Sequence, residues 1–234
     1  PLAPVLFSEN VFATWGHVLQ QLKLPVVPPE ATHPPATTAP AQLRELRRIQ
    51  DNVWELKAYS PAMDRVIIND IILPPGGIEN MHPRPTYYLL GGAGGGAEAT
   101  WWDGGGASEF FRDKQVNVVS PRGAYGSMMS DWAQPHDTHG RYKWATYLTK
   151  ELPQLIDAEF HGTGRDGIAG LSNSGGPALE LATFDQRFKV AGSYSGCPST
   201  TGVLAQGFAW VSAAYYGTDP ARSFGVPWDP AWAQ

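Results

Sequence analysis

DGIAGLSNSGGP, residues 166–177, is the stretch whose reading decides the fold. A short apolar strand, DGIAG, runs into a turn of small residues, and Pro177 then opens a helix, where its preset φ suits the first turn. Ser172 is thereby placed on a strand-to-helix elbow. Such a turn is strained and its helix packs close to the strand, so the serine needs small neighbours; Gly170, Ser174, Gly175 and Gly176 supply them. The pattern is G-x-S-x-S-G, a variant of the strict G-x-S-x-G.

Working outward, the same alternation recurs on both sides. PTYYLLGG (85–92), QVNVVSP (115–121) and FKVAGSYSG (188–196) read as buried strands, and a periodic helix runs from Lys143 to Phe160. Strands alternating with helices specify an α/β fold, a mostly parallel sheet with helices on both faces. In such a sheet the loops after residues 90, 120, 170 and 195 meet at one edge, where a ligand binds. Upstream, VWELKAYSP (53–61) and DRVIINDIILPPG (64–76) form an opening antiparallel pair, and QLRELRRIQD (42–51) reads as a charged helix. Residues 25–40, PVVPPEATHPPATTAP, have the composition of an extended strap. Residues 7–24 place Phe12, Trp15, Val18, Leu19 and Leu22 at helical spacing. The chain therefore divides into an N-terminal helix and Pro-rich extension, 1–52, and a domain, 53–234, without an internal repeat.

With 17 Lys+Arg against 22 Asp+Glu in 234 residues, the formal charge of -5 excludes a nucleic-acid binder driven by phosphate neutralisation. An apolar content of 42% is enough for a sizeable core, and 26 glycines with 21 prolines argue against a helical bundle. Charges, Gly or Pro interrupt every apolar run short of the ~18 residues of a membrane span, so a soluble protein is expected. Cys197 stands alone, which excludes an internal disulfide and a multi-cysteine metal site, and it is expected to be a small buried residue. The opening at Pro1, without a basic and apolar leader, fits a mature secreted product but does not settle location.

The glycine loop Gly91-Gly92-Ala93-Gly94-Gly95-Gly96 lets backbone N–H groups approach a ligand with no side chain between. Gly92, Gly94 and Ala97 match a dinucleotide pattern literally, but EATWWDGGG follows where that site needs a helix. The loop is better read as half of an oxyanion hole, the N–H groups of Ala93 and Asn173 being its two donors. His136 and His139 lack a third ligand at metal spacing and read as a solvated loop; no metal is assigned. His161 belongs at the opposite end of the sheet from Ser172. After Ser172 the chain holds Glu180, Asp185, Asp219 and Asp229 but no histidine, so a triad in the order Ser, acid, His cannot be completed from this sequence.

Several collinear segments carry a resemblance: YYLLGG (87–92), WWD (101–103), SDW (130–132), YKWATYLTKELPQ (142–154), IAGLSNSGG (168–176), FKVAGSYSG (188–196) and DPAW (229–232). Across residues 53 to 234 the chain resembles the secreted mycolyltransferases of the antigen complex, a branch of the esterase-D-like α/β-hydrolases. The resemblance implies an α/β-hydrolase fold whose C-terminal strands, with the catalytic acid and histidine, lie beyond Gln234 in a remaining segment of the same protein. It implies that Ser172 is the acyl-accepting nucleophile, with Ala93 and Asn173 as oxyanion hole and Gly91, Gly92 and Gly94 in the substrate site. The implied activity is transfer of mycolate from trehalose monomycolate, through an acyl-enzyme, to a sugar, polysaccharide or protein hydroxyl, with no cofactor. The implied location is the cell envelope after secretion, in association with the outer envelope. Where trehalose-clamping members have Asp and, three residues on, Arg, this chain has Gly91 and Gly94, which implies an acceptor other than free trehalose. Two other readings stay open: a mycolate or carboxyl esterase, and a non-catalytic envelope-binding module with the same fold.

Overall fold

The computed structural model describes residues 38–97, 101–132, 134–197 and 203–218. The expected helix at 7–24, most of the proline-rich strap, and Asp219, Asp229 and the DPAW segment lie outside them. A seven-stranded sheet runs in the order β1-β2-β3-β5-β4-β6-β7. Its strands are β1 (Gln42–Gln50), β2 (Val53–Ser60), β3 (Arg65–Ile72), β4 (Thr86–Leu90), β5 (Asn117–Pro121), β6 (Asp166–Leu171) and β7 (Phe188–Tyr194). The pairs β5/β4, β4/β6 and β6/β7 are parallel, whereas β1/β2, β2/β3 and β3/β5 are antiparallel. The sheet is therefore mixed, with the parallel half carrying the elbow.

Period-two alternation sorts the strand residues onto two faces. Leu56, Ile67, Ile71, Tyr88, Leu90, Val119 and Ile168 share one buried cluster with Trp144, Tyr147, Leu152, Leu155 and Ile156. Ala178 and Leu181 of the post-elbow helix α2 (Gly175–Phe184) join them. On the other face Val53, Ile72, Leu89, Val118 and Ala169 meet Trp101, Trp102, Phe111 and the helical turn Ala107–Phe110.

The expected helix from Lys143 to Phe160 forms as Trp144–Thr146, a π turn at Tyr147–Glu151, and α1 (Leu152–Phe160). Pro153 explains the wide turn: it brings no N–H to the regular ladder, so the backbone before it re-pairs one residue further back. Glu151 on this turn is fully buried. It accepts from Ser60 Oγ at 2.5 Å and from the Ala62 N–H at 2.7 Å, pinning the β2–β3 turn to the helix. Burial holds its pKa above the ordinary carboxylate value. A raised folded-state pKa gives stability that is complete below the unfolded value, about 4.3, and is lost as pH rises through the folded one. The slope of unfolding free energy against pH above 4 is therefore expected to be shallower in Glu151→Gln than in the parent, measured by urea titrations; an unchanged slope would assign the pH dependence to other acids.

One segment corrects the sequence reading: residues 42–51 are not a helix, and Gln42–Gln50 is the edge strand β1, so the sheet reaches into the N-terminal extension. The helical impression came from Leu46 and Ile49, three apart. On a strand an odd spacing sends them to opposite faces, and Leu46 packs on the helix-covered cluster while Ile49 packs on the other. Cross-strand pairs Arg47–Glu55 (3.1 Å) and Lys57–Glu45 (2.6 Å) use the charges that suggested an exposed helix face.

Candidate active site

Topology alone brings the two glycine-rich segments together. Because β4 pairs with β6, with Leu90 beside Gly170, the chain leaves both strands at the same place on the same edge. The loops after β5 and β7 leave at this edge as well, as expected. Gly123 N–H donates to Gly95 O (2.8 Å) and Gly126 N–H to Ala93 O (3.0 Å), sewing the glycine loop to the loop after β5.

Ser172 follows β6 directly and has φ 54°, in the left-handed region that a non-glycine residue occupies only under constraint. A 3-10 turn, Ser172–Ser174, leads into α2. This is the strained elbow expected from the sequence, and its small residues are there for steric reasons. A β-carbon on Gly170 would overlap the carbonyl oxygen of Ser174, one on Gly176 that of Cys197, and one on Gly175 would lie 2.7 Å from Gly196 Cα. Ser174 is buried and its Oγ–H donates to Gly91 O at 2.5 Å, fastening the elbow to the glycine loop. Ser172 itself is exposed, beside Gly92: a β-carbon on Gly92 would lie 3.7 Å from Ser172 Cβ. Asn173 is buried, with its Nδ2–H donating to Ser212 Oγ (2.6 Å).

Ser212 belongs to α3 (Val203–Tyr215), a helix that sequence reasoning missed. Its sequence, VLAQGFAWVSAAY, offers no polar face from which a period could be read. With Met128, Ser172, Asn173, Ser195, Gly196 and Cys197, the residues Phe208 and Ala209 of α3 enclose a cavity of about 240 Å³. Phe208, Val211 and Tyr215, spaced three and four apart, form an exposed apolar stripe leading away from it. Cys197 is exposed at this cavity, not buried as expected, because β7 ends before it and the chain turns across the sheet edge.

Of the expected acids and bases, none among the described residues is hydrogen-bonded to Ser172. Glu180 and Asp185 lie on and just after α2, and Asp185 faces Lys150 at 3.6 Å. His161 caps α1 at the opposite edge, with its carbonyl accepting from Arg84 N–H at 3.0 Å, as its sequence position implied. The loop of His136 and His139 is largely exposed, as expected, but His139 is half-buried: its Nε2 lies 3.2 Å from Tyr216 O, its ring lies near those of Tyr125 and Tyr142, and burial lowers its pKa. No cluster of three or more His, Cys, Asp or Glu suited to a metal occurs among the described residues.

Gly91 contradicts a simple substitution argument. A β-carbon there would lie 2.7 Å from Gly96 N and 2.8 Å from Gly96 Cα, both backbone atoms. The glycine is thus required by the loop's own shape. Gly91→Asp with Gly94→Arg is therefore expected to leave saccharide affinity at the site unimproved and to lower the melting temperature, measured by calorimetry; tighter sugar binding in the double variant would show that the loop yields.

Residues 60–234 match the Esterase family, described as "Putative esterase". Over 96 residues the chain is 44% identical to the diacylglycerol acyltransferase/mycolyltransferase Ag85B of Mycolicibacterium smegmatis, covering 38% of this chain and 29% of that protein. With Ag85A of Mycobacterium tuberculosis it shares 37% identity over 135 residues, 54% of this chain and 39% of the relative. Among solved structures, MPT51 (FbpC1) of M. tuberculosis is similar with a TM-score of 0.65 at 27% identity, over 76% of this chain and 64% of that one. An S-formylglutathione hydrolase from Agrobacterium tumefaciens, 19% identical, shares the fold with a TM-score of 0.59 over 82% of this chain and 71% of its own. The chain thus spans less than half the length of these curated relatives. No helix among the described residues is long and apolar enough to cross a membrane.

Proposed function

The chain belongs to the esterase family of α/β-hydrolases, on its antigen-85-like mycolyltransferase branch, and from that premise we propose that it is a serine acyltransferase acting on mycolate esters of the cell envelope. The observation that carries this reading is Ser172, held exposed at φ 54° on the elbow and directly beside the glycine loop. In the proposed cycle Ser172 Oγ attacks the ester carbonyl carbon of trehalose monomycolate. The charge that develops on the carbonyl oxygen is met by the N–H groups of Asn173 and Ala93. The C–O bond to the sugar then breaks, the sugar oxygen leaves with a proton, and the mycolate remains as an ester on Ser172. A hydroxyl acceptor attacks that ester, loses its proton and restores the serine. No described acid or histidine is hydrogen-bonded to Ser172, so the reading assigns the role of base to none of them.

The apolar stripe of Phe208, Val211 and Tyr215, beginning at the Ser172 cavity, supports a long acyl chain over a small ester. Gly91, Gly92 and Gly94 offer the acceptor backbone groups only, which favours a sugar, polysaccharide or protein hydroxyl other than free trehalose. Secretion to the envelope accompanies this reading. The test is to incubate the full-length protein with radiolabelled trehalose monomycolate and cell-wall polysaccharide, and to separate the products. Label in the polysaccharide supports the proposal. Release of free mycolate alone would make the protein an esterase, and efficient dimycolate formation would restore trehalose as acceptor.

A further inference from the structure

A larger cavity, about 610 Å³, opens at the other edge of the sheet from Ser172, where β3 ends and β5 begins. Leu73 N–H donates to Asn52 O there (2.9 Å), joining the β1–β2 turn to the segment after β3. Nothing in the proposed acyl transfer uses this space, yet its volume falls in the ~300–1,000 Å³ range of small-ligand sites.

Its lining is amphipathic. Trp54 is half-buried, and its indole Nε1–H is buried without a hydrogen-bond partner. Arg48 Cζ stands 6.0 Å from the indole centroid while its Nε–H donates to Asp51 O (2.8 Å). Gly77, with φ 59°, forms the wall against the ring: a β-carbon there would lie 3.9 Å from Trp54 Cζ2, so any longer side chain would crowd the indole. Around the rim, Arg48 and Arg112 are offset by Asp51 and Glu79, and Arg112 is also paired with Glu109 at 2.5 Å. A rim of balanced charge selects neither an anion nor a cation. It presents charged donors and charged acceptors at once, beside an aromatic surface. That combination matches a pyranose, whose hydroxyls both donate and accept and whose C–H faces are apolar.

We propose that the cavity at Trp54, Arg48 and Arg112 is a saccharide-binding subsite for a neutral pyranose unit, separate from the acyl-transfer edge. Occupied by an oligosaccharide, it would hold the protein on a glycan surface while Ser172, at the opposite edge, stays free. The test is isothermal titration of the full-length protein with maltotetraose, with a sulfated chondroitin tetrasaccharide as the anionic comparison. Saturable maltotetraose binding is expected. It weakens about fivefold in Arg112→Ala and in Glu79→Ala, each removing one hydrogen bond with a charged group, and is unchanged in Ser172→Ala. Three results would overturn the assignment: no saturable maltotetraose binding; binding lost in Ser172→Ala but kept in the rim variants, which puts the sugar at the acyl-transfer edge; or the sulfated saccharide binding about tenfold tighter, which makes the cavity an anion site.

Discussion

Ser172→Ala in the full-length protein is expected to fold normally, to lose labelling by a long-chain fluorophosphonate, and to lose ester turnover by about 10³-fold or more. What remains after loss of the nucleophile in serine hydrolases is the modest rate supplied by binding and the oxyanion hole. The variant is expected to keep its fold because Ser172 is exposed and its Oγ has no hydrogen bond to another described residue, whereas Ser174 Oγ is committed to Gly91 O. Labelling of Ser174 or Ser195 in the parent protein would move the nucleophile and with it the whole site. Retained turnover in Ser172→Ala would remove the serine from the chemistry.

Gly170→Ala is expected to have the largest effect on stability of any substitution to alanine at the elbow. The added β-carbon meets the carbonyl oxygen of Ser174, a backbone atom that no side-chain rotation can clear. Either β6 separates from β4 and β7, its partners through Leu90 and Ser193, or the 3-10 turn opens. Overpacking of this kind costs about 3 kcal/mol, which lowers the melting temperature of a domain this size by roughly 10 °C. Gly207→Ala is the matched control, since nothing lies within 4 Å of its β-carbon position and it sits on α3. There the better helix propensity of alanine is expected to raise the melting point slightly. Equal losses in both would show that the elbow is not close-packed.

The elbow and the parallel half of the sheet were legible because their signals are local and mutually consistent. Apolar runs of strand length end in glycine, and Pro177 marks a helix inside the stretch that holds Ser172. The antiparallel pair β2/β3 was legible from alternation across a Ser-Pro turn. β1 was not, because an exposed edge strand with only Leu46 and Ile49 partly buried has too few apolar residues to show a period of two, and its irregular register at Leu43/Glu45 and Arg48/Gln50 disturbs what little there is. α3 was missed for the opposite reason, apolar residues on every side. The proximity of Gly91 to Ser174 depends on β4 pairing with β6 across a long sequence separation; strand–helix alternation anticipated that the two loops share an edge but not this pairing or the Ser174–Gly91 contact. That the glycine at position 91 is fixed by contact with Gly96 is a property of the folded loop, and no sequence pattern carries it.

The central claim, that acyl transfer passes through an ester on Ser172, is tested most directly by intact-mass and peptide mass spectrometry of the full-length protein quenched in acid shortly after mixing with trehalose monomycolate. The account predicts a mass increase equal to the mycolic acid less water, confined to the peptide that contains Ser172 and absent from Ser172→Ala. Turnover of the substrate with no adduct at any time, or with the acyl group on Ser195 or Cys197, would contradict it.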